Sequence, residues 1–567
     1  MTNLDDTQLE SLEIGPMPII QTFVDRLDLP RMLNTYLPRH RRGRDPKLAP
    51  EKVITAMIAN IVVARRPLYG IHEWAQGFVP EPFGLEATDV PLLNDDRLGR
   101  ELDRMFEADR ASLMTAVITK AVTEFDVSLE QLHSDTTTVT FSGAYDNQTD
   151  LDAPGRPPCI TFGRNKDHRP DLKQLVYALT VSADGAVPIH HKTYDGNTSD
   201  DKVHIETWSM LEKIVGSPDF LYVADSKLCT RENMQFIAER GGRFISVVPR
   251  TRKEYTTLCE RLRQGEVFAW DEVCRKPNPR GQDKDEVVYW AIEGDHSVEG
   301  YRILWYRSSQ KTVKDASVRQ ARIDKAKRGI ERLQNREGTR PFPTQEAAQK
   351  AADAVLRKEN AERWLRVQVQ VHSGCRYKQT TPGRPSEHTT YVKEPIEFFG
   401  FEVTEDGDAI QADARLDGLF PLITNDRTLC AKEVLAKYKY QPNLEKRNEQ
   451  LKSVYHVMPI LLKSPTRVAG LLFVYFLALL LWALIEREIR RRMDQEGIEH
   501  LPLYPEMRKC EAPTTDGIFQ TLQGLRRHRL LDKDGNVLRT FFDPLSPVAA
   551  QALKLLGVSL QHYGRRK

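Results

Sequence analysis

The pattern of apolar and polar positions changes character near residue 126. Before it, apolar residues recur at helical spacing, as in 50–65 and 100–125, and 1–125 is predicted to be a helical domain. From 127 to 142 the chain is rich in β-branched residues and is predicted to be a strand around Asp135. Two more strands are predicted at 174–181 and 187–194, joined by the turn Ala183-Asp184-Gly185. A helix at 200–215 leads to a short apolar strand, 220–224, which ends at Asp225. A helix at 230–240, closed by Gly241-Gly242, precedes a fifth strand at 244–248.

Residues 251–415 break this rhythm. Strands are predicted at 266–273, 286–292 and 301–306, then a charged helical stretch at 311–365 with a break at 338–343. Residues 366–371 alternate like a half-buried strand. A strand at 419–424 follows, with Asn425-Asp426 placed to cap the next helix, and then a helix at 442–454 with Pro442 at its first position. The tail carries the turn Asp534-Gly535-Asn536 and basic clusters at 526–529 and 565–567. The order β-β-β-α-β-α-β in 126–250 is that of the ribonuclease-H-like fold, whose first and fourth strands lie side by side. The expected fold class is α/β. A ribonuclease-H-like core (126–250 and 416–495) is split by a mixed strand/helix insertion (251–415). A helical N-terminal domain (1–125), available for binding DNA ends, precedes the core, and a C-terminal tail domain (496–567) follows it.

One segment tests the soluble reading. Residues 468–485 carry no charge over a length near that of a membrane span, with Arg487, Arg490, Arg491 and Arg492 behind them. The alternative, adopted here, is a helix buried on all sides under the core, with Arg467 and Glu486 at its ends and no membrane involved. Composition agrees with a globular chain: of 567 residues, 40% are apolar and 29% charged, and the net charge is only +2. Any affinity for nucleic acid then has to come from local charge. The cluster Arg39-His40-Arg41-Arg42-Gly43-Arg44 reads either as a solvated loop or as a loop that touches phosphates, through Arg41, Arg42 and Arg44. Seven scattered cysteines without a CxxC pair argue against disulfides and cysteine-bound zinc and fit a reducing cytoplasm. The polar, acidic start of the chain does not read as a signal peptide.

The candidate chemistry rests on carboxylates. An aspartate inside a β-branched strand, as Asp135 is, opposes local propensity, and such violations mark functional sites. Asp225 follows a strand at its carboxyl end, where sites collect in α/β sheets. Further on the chain reads Tyr438-Lys-Tyr-Gln441-Pro-Asn-Leu-Glu445 and, seven residues later, Lys452. With Ser134-Asp135-Thr136-Thr137, Val223-Ala224-Asp225-Ser226, Gly196-Asn-Thr-Ser-Asp200 and Thr424-Asn425-Asp426, this resembles the DDE transposases of bacterial insertion sequences. The group in question has a tyrosine–arginine–glutamate–lysine signature and a large insertion before the final glutamate. The likeness covers about 127–495, and Gln441 stands where that signature has arginine.

The resemblance implies that Asp135, Asp225 and Glu445 hold two Mg²⁺ or Mn²⁺ ions. It also implies that Tyr438, Gln441 and Lys452 meet DNA, that the partners are double-stranded terminal repeats and target DNA, and that a homodimer forms on paired ends. The expected place is the bacterial cytoplasm, at the nucleoid. On a regular helix Glu445 and Lys452, two turns apart, share a face. Two other readings stay open: a ribonuclease-H-like nuclease that cuts without joining, and a non-catalytic DNA-binding descendant. His133 reads as a packed strand residue or a support for Asp135. His190 and His191 point to opposite faces of a strand. Trp270 and Trp290 read as core residues or as platforms for an unpaired base.

Overall fold

The β-branched run around Asp135 forms the strand Gln131–Phe141, the longest of the five that the first compact unit contributes to a mixed sheet. The computed structural model describes residues 7–39, 46–145, 155–278, 286–337, 342–454, 462–504, 506 and 508–565. The chain is a mixed α/β protein that divides into two compact units, Met1–Ser246 with Leu435–Lys567, and Val247–Val434.

In the first unit Gln131–Phe141 pairs antiparallel with Lys173–Ser182, which pairs antiparallel with Pro188–Asp195. On its other side it runs parallel to Leu221–Ala224, and that strand runs parallel to Arg243–Val247. In chain order the strands stand 3-2-1-4-5, so the first and fourth are neighbours. The helices His204–Val215 and Arg231–Glu239 connect the third strand to the fourth and the fourth to the fifth. Thr230 caps the second of them by accepting from the Asn233 N–H at 3.2 Å.

The apolar run lies in a helix, Pro465–Gln495, with every residue from Val468 to Ile489 buried. It is long and apolar enough to cross a membrane, yet the protein itself surrounds it. Its neighbours are the helices Pro50–Val63 and Asp95–Glu107 and the edge strand Pro188–Asp195, so it is wrapped by the N-terminal helices as well as set against the sheet. A helix without a polar face needs partners all round, and this one takes its helical partners from segments more than 350 residues earlier in the chain. Close approach is built in at Gly470, where a Cβ would lie 2.3 Å from the Leu102 carbonyl oxygen. The charged end is held in place: Arg487 donates to the carbonyls of Phe125 (2.6 Å) and Asp126 (2.7 Å), and Glu488 is buried against Arg26, Arg491 and Arg492.

The described residues of 1–125 are mostly helical, but the first element among them is a strand, Gln8–Glu13, that the sequence reading did not foresee. Its partner, Arg526–Leu531, is the basic cluster of the tail, and the register sets Glu10 opposite Arg529 and Glu13 opposite Arg526. The tail hairpin turns as expected at Asp534-Gly535-Asn536, with Gly535 at φ +82°.

The second unit contains four antiparallel neighbours, in the order Leu419–Thr424, Arg302–Ser308, Glu286–Glu293 and Asp271–Pro277. The strand expected from 266 begins only at Asp271, and Val267 is 91% exposed. The helices Ser309–Glu337 and Gln345–Glu359 pack on a ribbon of two long strands, Leu365–Gln379 and Tyr391–Glu405, through Ile323, Ala348, Leu356 and Phe399. Asn425-Asp426 does not cap a helix. Asp426 instead accepts from the N–H groups of Thr428 (2.7 Å) and Leu429 (3.2 Å) in a turn, and the helix Ala431–Tyr438 starts beyond it.

Candidate active site

The parallel pairing of the first and fourth strands ends at Ser134 opposite Ala224. The next residues are Asp135 and Asp225, so the two carboxylates stand side by side at the carboxyl end of the fourth strand. Both feel their surroundings in the same direction. Burial pushes Asp135 up to about 6, with Lys166 opposing and Asp225 and Asp200 adding to the rise. Burial also raises Asp225, partly offset by the Lys227 N–H, which donates to it at 3.0 Å. Asp225 hinders the ionisation of Asp135, and Asp200 hinders that of both, so the site favours a positive charge.

Part of that charge is Lys166, a residue the sequence reading missed. Its ammonium lies 3.7 Å from Asp135 and 3.2 Å from Asp200, and donates to the Thr136 carbonyl (2.6 Å) and hydroxyl (2.7 Å). Thr136 in turn donates to Asp200 at 2.8 Å. Lys166 sits in an irregular stretch before the second strand, where no periodicity points to it. The one available signal was the density of charge in Arg164-Asn-Lys-Asp-His-Arg169.

Glu445 lies exposed on the helix Gln441–Glu449. Three residues on, and so on the adjoining face, Asn448 donates to Asp135 at 3.3 Å. The opposite atom of that amide, Oδ1, is buried without a partner among the described residues. Tyr438 reports on all three acids: burial first, then Asp225, Glu445 and Asp135, push its hydroxyl up to about 12. The structure therefore brings Asp135, Asp225, Glu445 and Tyr438 into one neighbourhood. Among the described residues no three His, Cys, Asp or Glu side chains are gathered closely enough to hold a metal ion. Two adjacent aspartates and an unpartnered amide oxygen are nonetheless the hard oxygen donors that a divalent cation takes.

Other candidates stand elsewhere. Gln441 is buried; it accepts at 2.7 Å from His133 Nδ1, while His133 Nε2 accepts from Gln131 at 2.7 Å. His133 is thus a packed strand histidine, pushed down to about 4 by its burial. Lys452 does not continue a regular helix with Glu445, because Gln450–Val454 is a π-turn that shifts the face. Its ammonium pairs with Asp167 at 2.7 and 3.0 Å. Arg41, Arg42 and Arg44 lie outside the described residues. Trp270 and Trp290 are half-buried in the second unit, the former beneath Arg307 at 4.6 Å.

Residues 9–119 match the model of a domain of unknown function, DUF4277. The match covers the first strand and the N-terminal helices and stops before Asp135. No curated protein matches the chain.

Proposed function

We propose that this protein is a DDE transposase. It would cut the ends of its own insertion sequence and join them to target DNA from a ribonuclease-H-like core. The observation that carries this reading is the placement of Asp135 and Asp225 just beyond the last paired residues of two adjacent parallel strands, with the Glu445 helix tied to Asp135 through Asn448. The strand order 3-2-1-4-5, the signature spacing from Tyr438 to Lys452, and a domain often found in transposase-like proteins support it.

Asp135, Asp225 and Glu445 are the residues that would hold Mg²⁺ or Mn²⁺. Bound as a pair, such ions supply an activated attacking oxygen and a stabilised leaving oxygen in phosphodiester cleavage. Lys166 tempers the repulsion between Asp135 and Asp200 and ties both carboxylates to the Thr136 backbone. Asn448 fixes how Asp135 faces the Glu445 helix. Gln441, buried on His133, braces the start of that helix rather than reaching outward. Arg447 anchors the same helix from below through Glu486. Double-stranded DNA ends, a homodimer on paired ends and a cytoplasmic setting belong to the same proposal.

The test uses labelled DNA from both flanks of the reading frame, with purified protein and Mg²⁺. Joined products in a second DNA support a transposase. Cut but never joined ends support a nuclease, and binding without cutting supports a non-catalytic descendant.

A further inference from the structure

The third strand, Pro188–Asp195, is the free edge of the first unit's sheet. Along it lies a cavity of about 710 Å³, open to solvent on one side and lined by the start of the helix Arg110–Phe125, by the helix His204–Val215 and by Phe473 of the apolar helix. That volume is of the size that takes a small molecule. It is separate in its lining from Asp135, Asp225 and Glu445.

The charges around it do not balance. Asp195 is spent on Arg156, which holds it with two hydrogen bonds at 2.9 and 2.7 Å. Glu206 is spent on Lys192. Asp109 caps its own helix, accepting from the Ser112 N–H (3.1 Å) and hydroxyl (2.6 Å). Arg110 and Lys213 remain, and among the described residues neither has a carboxylate partner. Arg110 is half-buried and lies over the Phe106 ring at 4.8 Å. Its guanidinium is lowered from its usual value by burial, with nothing opposing.

Between them run two buried histidines, His190 and His191, whose rings lie on opposite faces of the strand; among the described residues neither Nδ1 has a hydrogen-bond partner, and both atoms are closed off from solvent. Burial holds both rings neutral, His190 down at about 4 and His191 lower. Two cations without carboxylate partners ask for an anion rich in acceptors. Met114, Met210 and Phe473 ask for an apolar or planar body next to it.

We propose that this cavity is a binding site for a phosphate monoester of nucleotide size. Arg110 and Lys213 would hold the phosphate, and the apolar wall the base. Arginine suits phosphate because its planar fork matches two oxygens at once. The proposal goes beyond DNA cleavage and does not depend on it.

The experiment is calorimetric titration of the full chain, in buffer with EDTA, with thymidine 5′-monophosphate, thymidine and inorganic phosphate. The expected result is one site per chain for the monophosphate, with thymidine and phosphate each at least tenfold weaker. Arg110→Gln should weaken the monophosphate at least tenfold. Lys213→Glu, at an exposed position, should do so as well, and Asp225→Asn should not. Competition by a 5′-phosphorylated oligonucleotide, and not by its unphosphorylated form, would put the phosphate at a strand end. Competition by the free monophosphate alone would put it on a nucleotide. Absence of saturable binding, binding that survives both Arg110→Gln and Lys213→Glu, or binding lost in Asp225→Asn would overturn the proposal.

Discussion

Arg447, two residues beyond Glu445, reaches Glu486 of the apolar helix at 2.7 Å, and both side chains are more than nine-tenths buried. The same guanidinium donates to the Ala186 carbonyl at 3.1 Å and to Gln450 at 2.8 Å. The helix of the candidate site is thereby fastened to the core helix and to the turn between the second and third strands. A buried pair is costly to break because one charge is left alone, by about 3–5 kcal/mol. Arg447→Ala and Glu486→Ala are each expected to destabilise by that order in urea unfolding. Arg447→Met with Glu486→Leu is expected to cost clearly less than the two single changes added. Additive losses would mean that the pair is not coupled.

Gly470 offers a test of the helix packing. Alanine is favoured over glycine within a helix by about 1 kcal/mol. At this position its Cβ would lie 2.3 Å from the Leu102 carbonyl oxygen, which is backbone and cannot swing aside. Overpacking of this kind costs about 1–3 kcal/mol, so the clash wins. Gly470→Ala should lower the thermal midpoint by several degrees, and an unchanged or raised midpoint would refute the close contact.

Acid should destabilise the first unit well above the usual carboxylate range. Burial takes His133, His190 and His204 down to about 4, and His191 well below its usual value. Between pH 6.5 and 4 the unfolded chain binds protons at these four sites and the folded chain does not. Stability is therefore fully present above pH 6.5 and falls as pH falls. Asp135, pushed up to about 6, and Asp225, also raised, act in the opposite sense. The four histidines outnumber the two aspartates, so the net slope keeps the sign that the histidines give it. Urea midpoints at pH 7, 6 and 5 should decline in that order, and a flat profile would contradict the buried neutral state.

Lys452 is held by Asp167, a carboxylate where a DNA phosphate is proposed to come. If DNA displaces that partner, removing the competitor should help binding. Asp167→Asn is expected to tighten binding of end DNA several-fold in fluorescence anisotropy. Lys452→Ala is expected to weaken it about tenfold and to lower the salt dependence by about one counter-ion. Equal affinity and salt slope in all three proteins would remove Lys452 from the interface.

The strands that position Asp135 and Asp225 were legible because β-branched, buried runs bounded by turn residues have few other solutions. Lys166 and Asn448 were not, because their roles depend on which loop and which helix face fall beside Asp135. No local pattern encodes that. The strand Gln8–Glu13 was hidden for a related reason: its partner, Arg526–Leu531, is more than 500 residues away. The seven-residue spacing of Glu445 and Lys452 assumed 3.6 residues per turn, and the π-turn Gln450–Val454 defeats it. The ribbon strand Tyr391–Glu405 is largely exposed and lacks the alternation that reveals a half-buried strand.

The most direct measurement is Mg²⁺-dependent cleavage of DNA from the flanks of the reading frame. Wild type would be compared with Asp135→Asn, Asp225→Asn and Glu445→Gln, each verified to be folded and to bind the DNA. Wild type should cut, and each variant should fall to less than about a hundredth of its rate, because each loses a carboxylate that the metal-assisted step requires. A folded variant that keeps more than about a tenth of the wild-type rate, or a wild type that cuts with neither Mg²⁺ nor Mn²⁺, would contradict the assignment.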